Sequence, residues 1–294
     1  MPNFLVVKRH ISYLFIVLRV TSMLILRIKR KQSVSVIKTV SIFTLIIGSS
    51  LTCFSQSWEL GGMVGGSNYH GDLAYNIVPK ETNFSGGAFF KYNFNEYWSI
   101  RPTLSYLKIS GADSNFNEYK LRNLSFRNNI YEISNVFEFN FHPFSNRGIH
   151  ERTTFYAMAG VALYLHKPQA KINGEWHDLQ ALNTESQRYG LMQISIPFGS
   201  GVKHAITPNL IVGFEAGWRK TFTDHLDDVS TLYPNLDGRG SLANQLSDRS
   251  FEVSENGGAL ANTGDQRGDP NLKDWYFQTA FTISYRFTPI KCPF

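Results

Sequence analysis

The chain has 294 residues, 14 % of them aromatic and only 18 % charged, where an ordinary soluble domain carries about 25 % charged residues. Its formal net charge is +6, but eight of the 29 basic residues lie within 1–55, which hold no Asp or Glu, leaving 21 basic against 23 acidic side chains. No basic face remains for a phosphate backbone, which excludes nucleic acid as a partner.

The first element is a leader. From Lys38 to Gln56 a basic flank (Arg27, Lys29, Arg30, Lys31, Lys38) meets an apolar run, Val40 to Leu51, then small side chains at Cys53 and Ser55. This predicts a secretory signal cut after Ser55, or else after Gln56, with 1–55 removed and 56–294 as the mature domain. A lipoprotein cut at Cys53 is disfavoured because Thr52 is bulkier than the usual residue before a lipidated cysteine. A second apolar run, Ile11 to Leu26, is interrupted by Arg19 and short for a spanning helix. A true start at Met23 accounts for it, an inner-membrane anchor being the alternative. With Cys53 removed, Cys292 has no intrachain partner, so stability must come from backbone pairing.

Beyond Gln56 no stretch offers 18 apolar residues, and alternation of period two recurs instead. Strands are predicted near 58–69, 84–94, 98–110, 131–141, 153–166, 191–205, 210–219 and 275–287. The last sets Trp275, Phe277, Thr279, Phe281, Ile283, Tyr285 and Phe287 on one face and Tyr276, Gln278, Ala280, Thr282, Ser284 and Arg286 on the other. Connections near 70–82, 111–127, 167–190 and 223–274 are long, and those at 93–97, 143–152 and 205–208 are short. Even strand number, rings at strand ends and alternating loop lengths predict an eight-stranded antiparallel transmembrane β-barrel of the outer-membrane type. A soluble sandwich, which also alternates, explains none of these three.

The inward face carries Glu59, Glu132, Glu138 and Glu215 beside Lys91, Arg101, Arg219 and Arg286. Eight strands enclose just enough room for side chains, so these charges must pair, predicting a plugged interior in place of a water channel. No histidine pattern or Gly-x-Ser-x-Gly elbow marks an enzyme, and neither a cofactor, a metal nor a small-molecule substrate is expected. The acidic run Asp224-His225-Leu226-Asp227-Asp228 lacks an EF-type pattern and reads as a solvated loop, or as carboxylates paired with loop arginines. Glycines in Gly61-Gly62-Met63-Val64-Gly65-Gly66 serve strand curvature.

The run Arg219–Tyr233 (RKTFTDHLDDVSTLY) resembles the signature of the PorG barrel subunits of the type IX secretion system. Supporting segments are Ser67–Leu73, Tyr75–Tyr106 and Arg127–Phe144, and the likeness extends over 57–290. Thr221, Asp224, Asp227 and Asp228 fall within the signature loop, while His225 stands where that family carries Tyr. The resemblance implies an outer-membrane subunit of a Gram-negative bacterium, in contact with outer-membrane lipid. Its expected partners are a periplasmic ring formed by a lipoprotein and its partner subunit. That contact is placed at the short turn 143–152, with Asn146, Arg147, His150 and Arg152, and at the tail 288–294. The alternative is a generic small barrel acting as surface adhesin or receptor.

Overall fold

The computed structural model describes residues 57–145, 151–235, 241–258 and 260–287. The expectations on Ser55, Gln56, Asn146, Arg147, His150 and 288–294 lie outside the described residues. Nine strands are present among them: β1 (Ser57–His70), β2 (Asn83–Asn93), β3 (Trp98–Ala112), β4 (Ser125–Asn140), β5 (Thr153–Ile172), β6 (Glu175–Asp178), β7 (Met192–Ala205), β8 (Leu210–Thr221) and β9 (Trp275–Phe287). Two short helices, α1 (Leu179–Leu182) and α2 (Ser241–Ser247), lie in the loops.

Eight of the strands close a barrel. Each pairs antiparallel with its neighbour in chain order, β6 excepted, and β1 returns to β9 to seal the ring. Closure pairs every strand on both sides, which is what backbone in a hydrocarbon layer requires. The outer face is a belt of bare apolar side chains: Leu104, Val161 and Phe281 are 61 %, 63 % and 67 % exposed. Such a belt is stable against lipid and not against water. Rings flank it at both ends. Trp98 meets Phe139 at 4.8 Å towards the short turns, and Trp218 meets Phe277 at 4.8 Å towards the long loops.

The short connections are 94–97, 141–152 and 206–209, and the long ones 71–82, 113–124, 173–191 and 222–274. Two boundaries differ from the sequence reading. β4 begins at Ser125 and β5 runs to Ile172, so both project beyond a lipid span of about 9–11 residues. β5 then folds back through Asn173 and Gly174, both at positive φ, to pair with β6. Asn-Gly is the standard signal for such a two-residue turn and was legible at 173–174.

The interior has two tiers. Towards the short turns it is polar and charged. Towards the long loops an apolar cluster takes over, with Leu107, Ile109, Phe126, Ile130, Tyr164 and Leu226. The last comes from the fourth long loop, which dips into the barrel mouth.

The plugged lumen and the loop cap

Glu138 on β4 is the hub of the charged tier. Lys91 Nζ lies 2.9 Å from its carboxylate, Lys203 Nζ 3.1 Å and Arg101 Nε 3.1 Å. Arg101 reaches on to Glu215 at 2.7 Å, where the Tyr156 hydroxyl also donates at 2.7 Å. Glu59 is held by Arg286 and by Asn93, each at 2.9 Å. Higher in the barrel Glu132 faces Arg219 at 3.5 Å and accepts the Tyr276 hydroxyl at 2.6 Å. All eight charges assigned inward from the sequence are buried and lie in this one interior.

Lys203 is a ninth that the sequence reading left out. It makes five cations against four carboxylates among the described lumen residues, correcting the expected balance of four to four. The alternation of β7 (buried Lys203 beside exposed His204) was the available signal.

Rings fill what the charges leave. Phe89 on β2 points inward, its face 5.2 Å from the Arg101 guanidinium. Phe144, at the foot of the 141–152 turn, folds in under the barrel against Ala205 and Ile211, with Arg286 over its ring at 4.8 Å. Space for these rings comes from glycine. A Cβ at Gly61 would sit 2.5 Å from Phe89 Cζ, and one at Gly201 would sit 2.6 Å from Tyr156 Cζ. A remaining cavity of ≈ 10 Å³, lined by Met63, Arg101, Met158, Glu215 and Arg219, is about the volume of one water.

The opposite end is sealed by the fourth long loop. Leu226 is wholly buried, and its carbonyl accepts from the Asn128 amide at 2.7 Å. The root of the loop is pinned by Thr221, whose hydroxyl donates to the Asp274 carbonyl at 2.6 Å. Thr221 is therefore the last residue of β8 and not a loop residue as the sequence reading had it. Tyr69 Oη lies 2.6 Å from both Asp227 Oδ2 and Asp274 Oδ1.

Two arginines stitch the four long loops into one cap. Arg122, in the second loop, holds Asp113 at 2.6 Å and donates to the Asp72 carbonyl of the first and the Arg267 carbonyl of the fourth. Arg267 is buried, binding Glu185 of the third loop at 2.6 Å, the Asp228 carbonyl at 2.6 Å and the Ser247 carbonyl at 3.1 Å. The solvated reading of the acidic run is thereby overturned: Asp224, Asp227 and Asp228 are all buried. The sequence alternation of charge with Leu226 and Val229 did not show this, because burial of a loop depends on what folds over it.

Burial raises these carboxyls. Asp224 is pushed up to about 7, Asp72 and Asp228 to about 6, and Asp227 and Asp274 well above the usual carboxylate range. Burial also lowers His225, which stacks on Tyr189 at 4.4 Å. The Tyr189 hydroxyl in turn donates to Asp228 at 2.5 Å. His225 thus occupies its position as a flat ring in a stack. Among the described residues no group of three or more His, Cys, Asp or Glu is arranged to hold a metal. Arg152 is exposed at the start of the 151–152 stem, its carbonyl accepting the Ala205 N–H at 2.8 Å.

A closed, lipid-belted barrel with a filled lumen and a knitted cap defines a small outer-membrane-type barrel protein that is not an open pore. The chain belongs to the family described as a domain of unknown function, DUF6089, whose model matches residues 38–239. Among curated proteins none matches it. Among solved structures it is similar to Ail, the attachment invasion locus protein of Yersinia pestis, at 13 % identity over 80 % of this chain and 100 % of that one, TM-score 0.38. Neisserial surface protein A is similar at 12 % identity, over 78 % and 97 %, TM-score 0.39. OprG of Pseudomonas aeruginosa is similar at 8 %, over 80 % and 97 %, TM-score 0.39.

Proposed function

We propose that this chain is a non-enzymatic outer-membrane subunit of the type IX protein secretion system, anchoring the periplasmic ring of a lipoprotein and its partner subunit. The observation that carries the reading is the filled interior. With Glu138 bound by three cations, Phe144 below and Leu226 above, nothing passes through the barrel, and its surfaces are left to do the work. The likeness of Arg219–Tyr233 and its companion segments to PorG supplies the particular machine.

On this reading the short turns face the periplasm and the cap faces outward. The ring contact falls on the 143–152 turn, with Arg152 and the neighbouring Asn146, Arg147 and His150, and on the tail 288–294. Phe144 fixes the foot of that turn to the barrel, and Glu151 bonds back to Ser145 on its other side. A turn tied to the barrel at its described ends suits a docking role.

Affinity purification from detergent-solubilised outer membrane, with mass spectrometry, tests it. The ring proteins should co-purify with the native chain. They should be lost when 145–152 is replaced by a minimal turn, Phe144 being kept to seal the lumen, while the barrel still shows heat-modifiable gel migration. Normal export and an intact ring in a strain lacking the gene would overturn the reading. The second reading, a surface receptor or adhesin, is favoured by the cleft in the cap and would instead be marked by extracellular ligands in the same purification.

A further inference from the structure

The knitted cap leaves an opening among its described residues. Between the second and fourth long loops lies a cavity of ≈ 410 Å³, within the size range of small-ligand sites. It is lined by Tyr119 and Leu121 of the second loop and by Leu260 and the buried Tyr233 and Arg267 of the fourth. Leu121 and Leu260 are left 65 % and 50 % exposed. Three carboxylates stand around it: Asp72, Asp265 and Asp269.

The charges at the cavity are not symmetrical in their freedom. Both arginines that border it are already committed, Arg122 to Asp113 and two carbonyls, Arg267 to Glu185 and two carbonyls. Each guanidinium already faces a carboxylate of its own, Asp113 or Glu185, so neither offsets the three carboxylates around the cavity. The carboxylates differ. Asp72 accepts the Asp269 N–H at 3.0 Å, Asp265 accepts the Asn262 N–H at 2.7 Å, and Asp269 accepts the Asn271 N–H at 3.0 Å. These are hydrogen bonds from neutral groups, and none of the three makes an ion pair among the described residues. An amphipathic pocket with uncompensated negative charge attracts a cation whose stem is apolar.

We propose that this cavity binds an organic cation on an aliphatic stem, the alkylammonium or guanidinium of a basic peptide side chain or of a polyamine. The stem would lie between Leu121 and Leu260, and the charged end would meet Asp265 and Asp269. The site lies on the loop side of the barrel, opposite the short turns, so it stands apart from the ring contact.

Titration calorimetry on the full chain in phosphatidylcholine nanodiscs tests this, using spermidine, acetyl-Gly-Lys-Gly-amide and acetyl-Gly-Glu-Gly-amide. At least one cationic probe should saturate a single site, and the Asp265→Asn/Asp269→Asn double variant should weaken it about tenfold or more. Asn keeps both loop hydrogen bonds as an acceptor, and unchanged heat-modifiable migration checks that the variant is folded. Spermidine alone would assign the site to polyamines, the lysine peptide alone to basic peptides, and both to the cationic group itself. Absence of binding by either cation, equal binding of the glutamate peptide, or an unaltered affinity in the double variant overturns the proposal.

Discussion

Tyr69 of β1 and Asp227 of the fourth long loop, 158 residues apart in sequence, meet at 2.6 Å. Asp274 touches the same phenol oxygen at 2.6 Å. A phenol has one proton to donate, so two such short contacts require one of the carboxyls to be protonated and to donate in return. The second oxygen of Asp227 accepts the Val229 N–H and that of Asp274 the Leu226 N–H, so the proton sits on an oxygen that faces the phenol. Tyr69→Phe should leave two buried carboxyls without their shared partner, at about 1.5–3 kcal/mol of local stability. Limited proteolysis within 222–274 should accelerate by about tenfold or more, with the barrel itself intact on a heat-modifiability gel. Unchanged protection would show that the loop is held by its other anchors, Leu226, Thr221 and Arg267, without the Tyr69 contact.

The raised carboxyls give the cap a pH dependence of definite sign. A carboxyl whose pKa is higher in the folded cap than the unfolded value of about 4 binds more protons when folded. Its contribution is complete at acidic pH and is lost as pH rises through the folded value. For Asp72 and Asp228 that value is about 6 and for Asp224 about 7. Amide exchange within 222–235 should therefore be slower at pH 5 than at pH 8, after correction for intrinsic rates. The reverse order would contradict the raised values of these carboxyls.

In the lumen, the hub and the surplus cation should respond differently. Glu138→Gln leaves Lys91, Lys203 and Arg101 without their common anion, a loss of about 3–5 kcal/mol for a broken buried pair. Lys203→Met removes one of five buried cations facing four carboxylates and should be much milder. Urea unfolding in lipid vesicles measures both. Equal losses would contradict a charge-balance account of the interior.

Phe281 is the most lipid-facing ring of β9, and its neighbour Thr282 is on the inward face. Phe281→Arg should destabilise by about 2–4 kcal/mol if it lies at the bilayer midplane. Thr282→Arg should act through crowding and lumen charge instead, so its effect should be partly relieved by Lys203→Met, whereas that of Phe281→Arg should not. Identical behaviour of the two would sink the assignment of faces.

Much of the barrel could be read from the sequence because each strand alternates on its own. In β9, Phe281, Ile283 and Tyr285 are exposed while Tyr276, Gln278 and Arg286 are buried, as period two dictates, and the same rule placed Glu59, Glu132, Glu138 and Glu215 inside. Loop lengths were equally legible, since turn residues punctuate the strands. Two rings were passed over: Phe89, which shares the parity of Ser85, Lys91 and Asn93 but is apolar on the polar face, and Phe144, which lies in a turn where no period applies.

The sequence by itself determined a closed barrel with one apolar and one polar face, because the repeat that sets them is local to each strand. Only the tertiary structure decided which charges meet. Glu138 finds Lys91, Arg101 and Lys203 through barrel closure, and those partners come from three different strands. Only the tertiary structure, too, turned the acidic run 224–228 from an apparent solvent-facing loop into a buried plug. Its burial depends on Tyr69 and Asn128 of the strand wall, Glu185 of the third loop and Arg267 from the far end of its own loop. A loop carries no periodicity that points to its neighbours, so its environment is a property of the assembled mouth and not of its own residues.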